Sequence, residues 1–192
     1  IPTLGFKEST GKEWVGLSDK IDYRKLVVDV NGAYDLTLSE LENVAKLTVY
    51  SLNTRGLLQS LKSMTITPKF DKAGNVIGND SGALTGLLLT AGTEYYIAVE
   101  ATYASTAKNT GYDLTVGGTQ FLKANQADDN DRTTAPTLTA TPGASITDEW
   151  VGFGDKTDYR KLEVTTSGSY NLTLSGLENT ATLTLYSVVT FW

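Results

Sequence analysis

Acidic residues offer the clearest candidate chemistry in this sequence. One acidic run occupies positions 128–131, and Asp155 and Asp158 follow as an Asp-x-x-Asp pair ahead of a predicted strand. Calcium takes about six to eight oxygen ligands, and a flexible Asp/Asn run can supply about three or four of them while a fixed loop supplies the others. The alternative interpretation is a solvated acidic segment and two Asp residues that make turns.

Other chemistry is largely excluded by residue types that the chain lacks. There is no histidine and no cysteine, so Ser-His-Asp and Cys-His catalysis, disulfides and thiolate metal sites are ruled out. The triplet at 80–82, Asp-Ser-Gly, has no base to activate its serine. Among the 22 acids, none lies in the apolar, aromatic-walled sequence context that raises a carboxyl pKa for general acid catalysis. The sequence therefore predicts a protein that is not an enzyme.

The charge balance indicates which partners are unsuitable. The net charge is −6 and the sequence pI is about 4.7, so no basic patch is available for nucleic acid or an anionic membrane surface. No apolar run approaches the length of a membrane span, and no secretory leader is present. Because the sequence opens at Ile1, we expect any export signal to lie outside it.

An internal repeat sets the domain organisation. Residues 14–51 recur without a gap at 150–187, 136 positions later, and roughly 25 of the 38 positions are identical. A period of this length is a domain rather than a solenoid unit. We predict a complete first domain at 1–117, an extended acidic linker at 118–136, and the N-terminal half of a second copy at 137–192.

Alternating apolar and polar residues predict an all-β fold. Tyr34, Leu36 and Leu38 fall on one face of a strand. The predicted strands of the first copy are 24–30, 34–39, 45–52, 64–67, 83–90, 94–102 and 112–116. Asn31-Gly32 predicts a tight hairpin, 70–82 predicts a turn-rich loop, and 57–61 predicts one short helical turn. About seven short antiparallel strands favour a two-sheet β-sandwich.

Four stretches of this chain resemble a known family. They are 150–162 (WVGFGDKTDYRKL), 168–174 (GSYNLTL), 92–100 (GTEYYIAVE) and 111–116 (GYDLTV). Together they resemble the bacterial pre-peptidase C-terminal (PPC-type) domain over essentially the whole chain. The resemblance implies a jelly-roll-like β-sandwich, attached to or repeated within exported proteins such as peptidases, collagenases and large adhesins. The collagen-binding domains of clostridial collagenases are similar in fold and carry calcium.

The resemblance also implies a ligand set for calcium. Carried over by position, the metal ligands would be Asp128, Asp129, Asn130, Asp131, Asp155 and Asp158. Asp19 and Asp22 have the same spacing in the first copy, but nothing equivalent to the acidic run precedes them in this sequence. We expect these two residues to bind calcium weakly or not at all.

Recurring aromatic residues are candidates for ligand contact. Trp14 and Tyr23 in the first copy, and Trp150 and Tyr159 in the second, could form a surface that binds collagen or sugar. Packing in the core or at its rim is the alternative, since these residues recur at equivalent places in a strand-rich repeat.

These observations predict a non-catalytic, calcium-associated repeat of a secreted or cell-surface bacterial protein that acts as an adhesive or structural spacer. The alternative is an accessory substrate-binding domain of a secreted hydrolase. We expect an extracellular protein or polysaccharide as ligand, no nucleic acid, and no membrane insertion. The half copy would expose an apolar face of Tyr170, Leu172, Leu174, Leu183 and Leu185, which predicts a homo-oligomer formed through the partial repeat.

Overall fold

The computed structural model describes residues 1–77, 81–102, 109–122, 129–147 and 149–187. The chain forms two compact units, Ile1–Asn125 and Gln126–Trp192. The described strands are β1 (Thr3–Leu4), β2 (Glu13–Val15), β3 (Ile21–Leu26), β4 (Gly32–Ser39), β5 (Ala45–Leu52), β6 (Leu58–Ile66), β7 (Gly82–Leu89), β8 (Tyr95–Ala101), β9 (Thr110–Gln120), β10 (Thr137–Thr139) and β11 (Lys161–Glu163). The described part of the chain holds no helix capable of crossing a membrane.

The first unit is a sandwich of two sheets. One sheet has the strand order β1-β3-β8-β5-β6, and the other has the order β2-β9-β4-β7. Every pair in these sheets is antiparallel except β1 with β3, which is parallel. The predicted all-β, antiparallel sandwich is therefore confirmed.

The core of this sandwich follows the alternation seen in the sequence. Tyr34, Leu36 and Leu38 on β4 are each 0% exposed, while the residues between them face outward. They pack in one cluster with inward residues of β5 and β9, namely Leu47, Val49, Tyr112, Leu114 and Val116. Full burial of such a side chain stabilises the fold by about 1.5–3 kcal/mol.

The predicted hairpin at Asn31-Gly32 is wrong. β3 and β4 lie in different sheets, so the segment between them crosses the sandwich. Asn31 is buried, its side-chain oxygen accepts a hydrogen bond from the Ala91 amide at 2.8 Å, and its carbonyl accepts one from Phe121 at 2.7 Å. At Gly32 a Cβ atom would lie 2.6 Å from the Thr119 carbonyl oxygen. The glycine is needed for close approach to β9 rather than for a turn.

The predicted helical turn at 57–61 is also wrong, because this stretch begins β6. A turn at Asn53 returns the chain onto β5: the Asn53 side-chain oxygen accepts hydrogen bonds from the amides of Arg55 and Leu57 at 2.9 and 3.0 Å. Gly56 supplies the positive φ of 73° that this turn requires. The predicted loop at 70–82 starts with a bridge between Phe70 and Val76, and its positions 78–80 lie outside the described residues.

The second unit reproduces only the first elements of the repeat. β10 pairs with β11 in parallel, as β1 pairs with β3. Residues 164–187 form no strand in the described part of this unit. In the first unit β4 and β5 hydrogen-bond to β6, β7, β8 and β9.

Candidate metal centre

A tight turn in the second unit places the first acidic side chain of the site. The Gly152 amide donates to the Asp155 carbonyl at 2.6 Å, and the Asp155 amide donates back at 3.3 Å. Gly154 has a φ of 86°, which a glycine adopts without strain. The ring of Trp150 packs on Gly152, where a Cβ atom would lie 2.4 Å from it. The turn buries Asp155, which is 1% exposed.

The acidic segment ahead of the repeat packs onto the residues after this turn. The backbone amide of Tyr159 donates a hydrogen bond to the Asp129 carbonyl at 2.6 Å. This bond holds Asp129 beside the entrance to β11, where it is 5% exposed. A carboxylate from one stretch of chain is thereby brought to carboxylates from another, which sequence spacing alone does not reveal.

Four carboxylates form an acidic cluster: Asp129, Glu149 and Asp158, together with Asp155, whose charge acts on Asp158. Carboxylate oxygens of Asp129, Glu149 and Asp158 lie within 4.8 Å of one another. Oxygens bind calcium at about 2.3–2.6 Å, so ligands on opposite sides of one ion are about 5 Å apart. A single ion can therefore contact all three residues.

Three oxygens of the acidic cluster are buried and have no hydrogen-bond partner among the described residues. They are the Oδ1 atoms of Asp129, Asp155 and Asp158. A buried polar atom without a partner costs about 1–3 kcal/mol, and more when it is charged. Three such atoms in one cluster fit a site that a cation completes.

One basic side chain balances part of this charge. Arg160 lies 2.6 Å from Asp129 Oδ2 and 2.6 Å from Glu149 Oε2. Its guanidinium thus orients two of the four carboxylates and leaves Oδ1 of Asp129 unpartnered. One positive group against four negative groups leaves a negative site, as a divalent cation requires.

The close approach of the carboxylates raises the pKa of two of them. Burial, followed by the charges of Asp129, Asp155 and Glu149, raises the pKa of Asp158 to about 6. Burial and the charge of Asp129 also raise the pKa of Asp155. Both shifts have the same cause, since the ionised form loses solvation and meets like charges. A bound cation would remove that penalty.

The other predicted ligands lie in different places. The side chain of Asn130 hydrogen-bonds to Asp155. The Asp131 carboxylate accepts hydrogen bonds from the Thr133 amide at 2.8 Å and hydroxyl at 2.9 Å, which lowers the pKa of Asp131. This residue makes a local turn and is outside the acidic cluster. Asp128 lies outside the described residues.

Two residues of the site were missed by sequence reasoning, Glu149 and Arg160. Both recur in the first copy as Glu13 and Arg24, and that pair also forms an ion pair at 2.7 Å. Recurrence of an acid and a base eleven residues apart is the signal that would have identified them.

In the first copy, the residues equivalent to Asp155 and Asp158 are Asp19 and Asp22, and their surroundings differ. Asp19 is exposed, and Oδ2 of Asp22 accepts a hydrogen bond from the Tyr112 hydroxyl at 2.5 Å. Burial is the main cause that raises the pKa of Asp22, and this hydrogen bond opposes the shift.

The predicted aromatic contact residues occupy separate elements. Trp14 on β2 is 46% exposed and Tyr23 on β3 is 36% exposed, and these strands belong to different sheets. Trp150 and Tyr159 in the second unit are half-buried. A ligand-binding role for these four residues stays a prediction.

Comparison with known proteins gives structural matches only. No protein-family model matches this chain, and no curated protein matches it. The chain is similar to the pre-peptidase C-terminal domain of collagenase from Bacillus anthracis, with 13% identity, 60% of this chain and 92% of that chain covered, and a TM-score of 0.38. This is the kind of domain that the sequence resembles.

Two other solved structures are similar at a comparable level. Eiger TNF from S. frugiperda has 9% identity, with 53% of this chain and 88% of that chain covered and a TM-score of 0.28. PliG, a periplasmic inhibitor of g-type lysozyme from Aeromonas hydrophila, has 14% identity, with 60% and 95% covered and a TM-score of 0.27.

Proposed function

We propose that this chain is a non-catalytic, calcium-binding β-sandwich repeat of a secreted or cell-surface protein, acting as a structural or adhesive spacer. The observation that carries the proposal is the set of three buried carboxylate oxygens that have no partner among the described residues, on Asp129, Asp155 and Asp158. Charged groups in this state stabilise a folded protein only when a counter-ion completes their coordination.

The donor set favours calcium over other common metals. All candidate side-chain ligands are carboxylates, and the chain has no histidine or cysteine, which zinc and copper prefer. Magnesium demands a near-ideal octahedron and keeps several waters. The acidic cluster draws on separate stretches of chain and includes a partly exposed Glu149, an irregular arrangement that suits the larger and more tolerant calcium ion.

The ion would act by linkage. Asp129 belongs to the acidic segment ahead of the repeat, while Glu149, Asp155 and Asp158 belong to the repeat itself. An ion held by both fastens the segment to the repeat, because it binds only when the two are docked. In a chain of tandem copies, the same contact at each copy would stiffen the whole protein.

The absence of histidine and cysteine from the sequence supports a module without catalytic chemistry, and the PPC-type resemblance of the sequence supports export.

A second function, an accessory substrate-binding domain of a secreted hydrolase, is favoured by one observation. Trp14 and Tyr23 are exposed on the first unit, and exposed aromatic rings are typical of surfaces that bind proteins or polysaccharides. The tandem repeat favours the spacer.

Thermal unfolding with calcium and with a chelator tests the calcium site. We expect calcium to raise the Tm of the chain, since an ion at a hundredfold its Kd contributes about 2.7 kcal/mol to the native state. Asp158→Asn should reduce the shift, because this variant binds calcium more weakly. Asp22→Asn is the matched control, because its amide oxygen still accepts from Tyr112 and the calcium shift should remain. Identical melting curves with calcium and with chelator would refute the proposal.

A further inference from the structure

Arg160 of the second unit contacts two acidic side chains that come from different stretches of chain. Its Nη1 lies 2.6 Å from Oδ2 of Asp129, and its Nη2 lies 2.6 Å from Oε2 of Glu149. Asp129 belongs to the acidic segment ahead of the repeat, and Glu149 belongs to the repeat itself. The guanidinium therefore joins the acidic segment to the repeat through charge-assisted hydrogen bonds.

The repeat itself fixes the guanidinium of Arg160 in place. Its contact with Glu149 recurs in the first unit as the pair of Glu13 with Arg24, at 2.7 Å. Nη1 of Arg160 also donates a hydrogen bond to the Tyr159 carbonyl at 2.9 Å. Contacts within the repeat thus position the side chain, which lowers the ordering cost of its contact with the acidic segment.

The residue before Arg160 holds the same part of the acidic segment through its backbone. The Tyr159 amide donates a hydrogen bond to the Asp129 carbonyl at 2.6 Å, so consecutive residues of the repeat bind the main chain and the side chain of Asp129. The side chains of Arg160 and Asp129 are only 20% and 6% exposed. Removal of one partner would leave the other as a largely buried charge without compensation.

We propose that Arg160 is a positioning residue of the metal site: it docks the acidic segment onto the repeat without the ion and so preforms the set of calcium ligands. This inference rests on the proposed calcium site and names the residue that organises it. The carboxylates are then in place before an ion binds, so little of the binding free energy is lost to ordering the segment.

Arg160 leaves an oxygen of Asp129 available to a cation. The guanidinium contacts Oδ2 of Asp129, while Oδ1 is buried and has no hydrogen-bond partner in the described part of the chain. A carboxylate can bind a guanidinium with one oxygen and a metal ion with the other. Arg160 can therefore keep its contact with Asp129 when an ion binds.

The charge of Arg160 and its positioning role predict opposite effects on calcium affinity. Removal of the positive charge makes the acidic cluster more negative, which by Coulomb attraction alone would strengthen calcium binding. Loss of the two contacts frees Asp129 and Glu149, and loss of a group that orients metal ligands weakens metal binding about 10–100-fold. The positioning role therefore predicts weaker calcium binding in a variant that is more negative.

Hydrogen exchange of the Tyr159 amide, measured by NMR on the full chain in excess chelator, reports docking directly because this amide donates to Asp129. In Arg160→Gln the Tyr159 amide should exchange at least about tenfold faster than in the wild type. The Lys161 amide donates to the Pro136 carbonyl at 2.9 Å. Its exchange reports whether the β10–β11 pair stays folded, and it should change little.

Calorimetric calcium titration of the same variants separates positioning from charge. Arg160→Gln should weaken calcium binding at least about tenfold. Arg160→Lys should recover only part of the loss, because an ammonium group lacks the planar fork that contacts two carboxylates at once. Arg132→Gln is the matched control: it removes the same charge from an exposed residue of the acidic segment. It should leave calcium affinity and Tyr159 exchange within about twofold of the wild type.

Three outcomes would overturn the proposal. The first is Tyr159 exchange in chelator that is as fast in the wild type as in Arg160→Gln. The second is calcium binding by Arg160→Gln that is as tight as in the wild type or tighter. The third is equal loss of Tyr159 and Lys161 protection in both Arg160 variants, which would make Arg160 a residue of general stability. A wild type that binds no calcium rejects the metal site and this role with it, whereas wild-type binding with any of the three outcomes rejects the role of Arg160 alone.

Discussion

The two copies of the repeat share much of their sequence and differ in what surrounds them. Short-range contacts are the same in both: Glu13 pairs with Arg24 and Glu149 with Arg160, and each copy has the same parallel strand pair. Contacts with distant residues differ. Oδ2 of Asp22 accepts a hydrogen bond from the Tyr112 hydroxyl, whereas Oδ1 of the equivalent Asp158 is buried and has no partner in the part of the chain that the structure describes. The shared residues therefore encode the same local geometry in both copies.

The largest expected difference between the copies is in core energetics. Leu36→Ala should lower the free energy of unfolding of the first unit by about 3 kcal/mol, because Leu36 is fully buried. Leu172→Ala, at the equivalent position, should cost less than about 0.5 kcal/mol at sub-micromolar chain. Urea unfolding followed by circular dichroism measures both. Equal losses would mean that Leu172 is buried in the chain in solution.

A smaller change in the free energy of unfolding is expected at the Asp-x-x-Asp pair, which recurs in both copies. Tyr112→Phe removes the donor to Asp22 and should lower the free energy of unfolding by about 1–2 kcal/mol without calcium, because a partly buried carboxylate loses its partner. Tyr23→Phe, at an exposed tyrosine, is the control and should change it little. If the two variants were equally stable, the hydroxyl would not satisfy Asp22, and the contrast with Asp158 would disappear.

The pH dependence of calcium binding tests whether Asp158 is a calcium ligand, unlike its equivalent Asp22. The folded pKa of Asp158 is raised to about 6, so this ligand is ionised at pH 7.5 and largely protonated at pH 5. Protons compete with the ion, and calcium affinity should fall about tenfold between these values from this residue alone. Calorimetric titration at both pH values measures the change. Asp158→Asn should bind more weakly and lose this pH dependence, and a wild-type affinity independent of pH would contradict the role of Asp158.

The sandwich was predictable from sequence where one physical rule dominates. Tyr34, Leu36 and Leu38 alternate because one face of β4 is core, and period-two alternation has a single structural cause. The hairpin predicted at Asn31-Gly32 is wrong because an Asn-Gly pair suits both a tight hairpin and a close approach to a neighbouring strand. Only the order of strands in the sheets distinguishes these two structures. The start of β6 was missed because its leucines lie on an exposed edge strand, where alternation is absent.

The site was predictable only in part, for similar reasons. Asp129, Asp155 and Asp158 were expected from the resemblance, and the structure brings them into one acidic cluster with Glu149. Asp131 was grouped with them by its position in the run, yet Thr133, two residues on, takes its carboxylate into a turn. Such local competition for a side chain depends on backbone conformation, which an acidic run alone does not specify.

Calcium binding measured by isothermal titration calorimetry tests the central claim most directly. The wild-type chain should bind one calcium ion at neutral pH, at the acidic cluster of the second copy. Asp155→Asn should abolish this binding, because Asp155 is buried with an unpartnered oxygen. Asp19→Asn, at the equivalent exposed position of the first copy, should leave it unchanged. No binding by the wild type, or binding that survives Asp155→Asn and is lost in Asp19→Asn, would contradict a calcium site in the second copy.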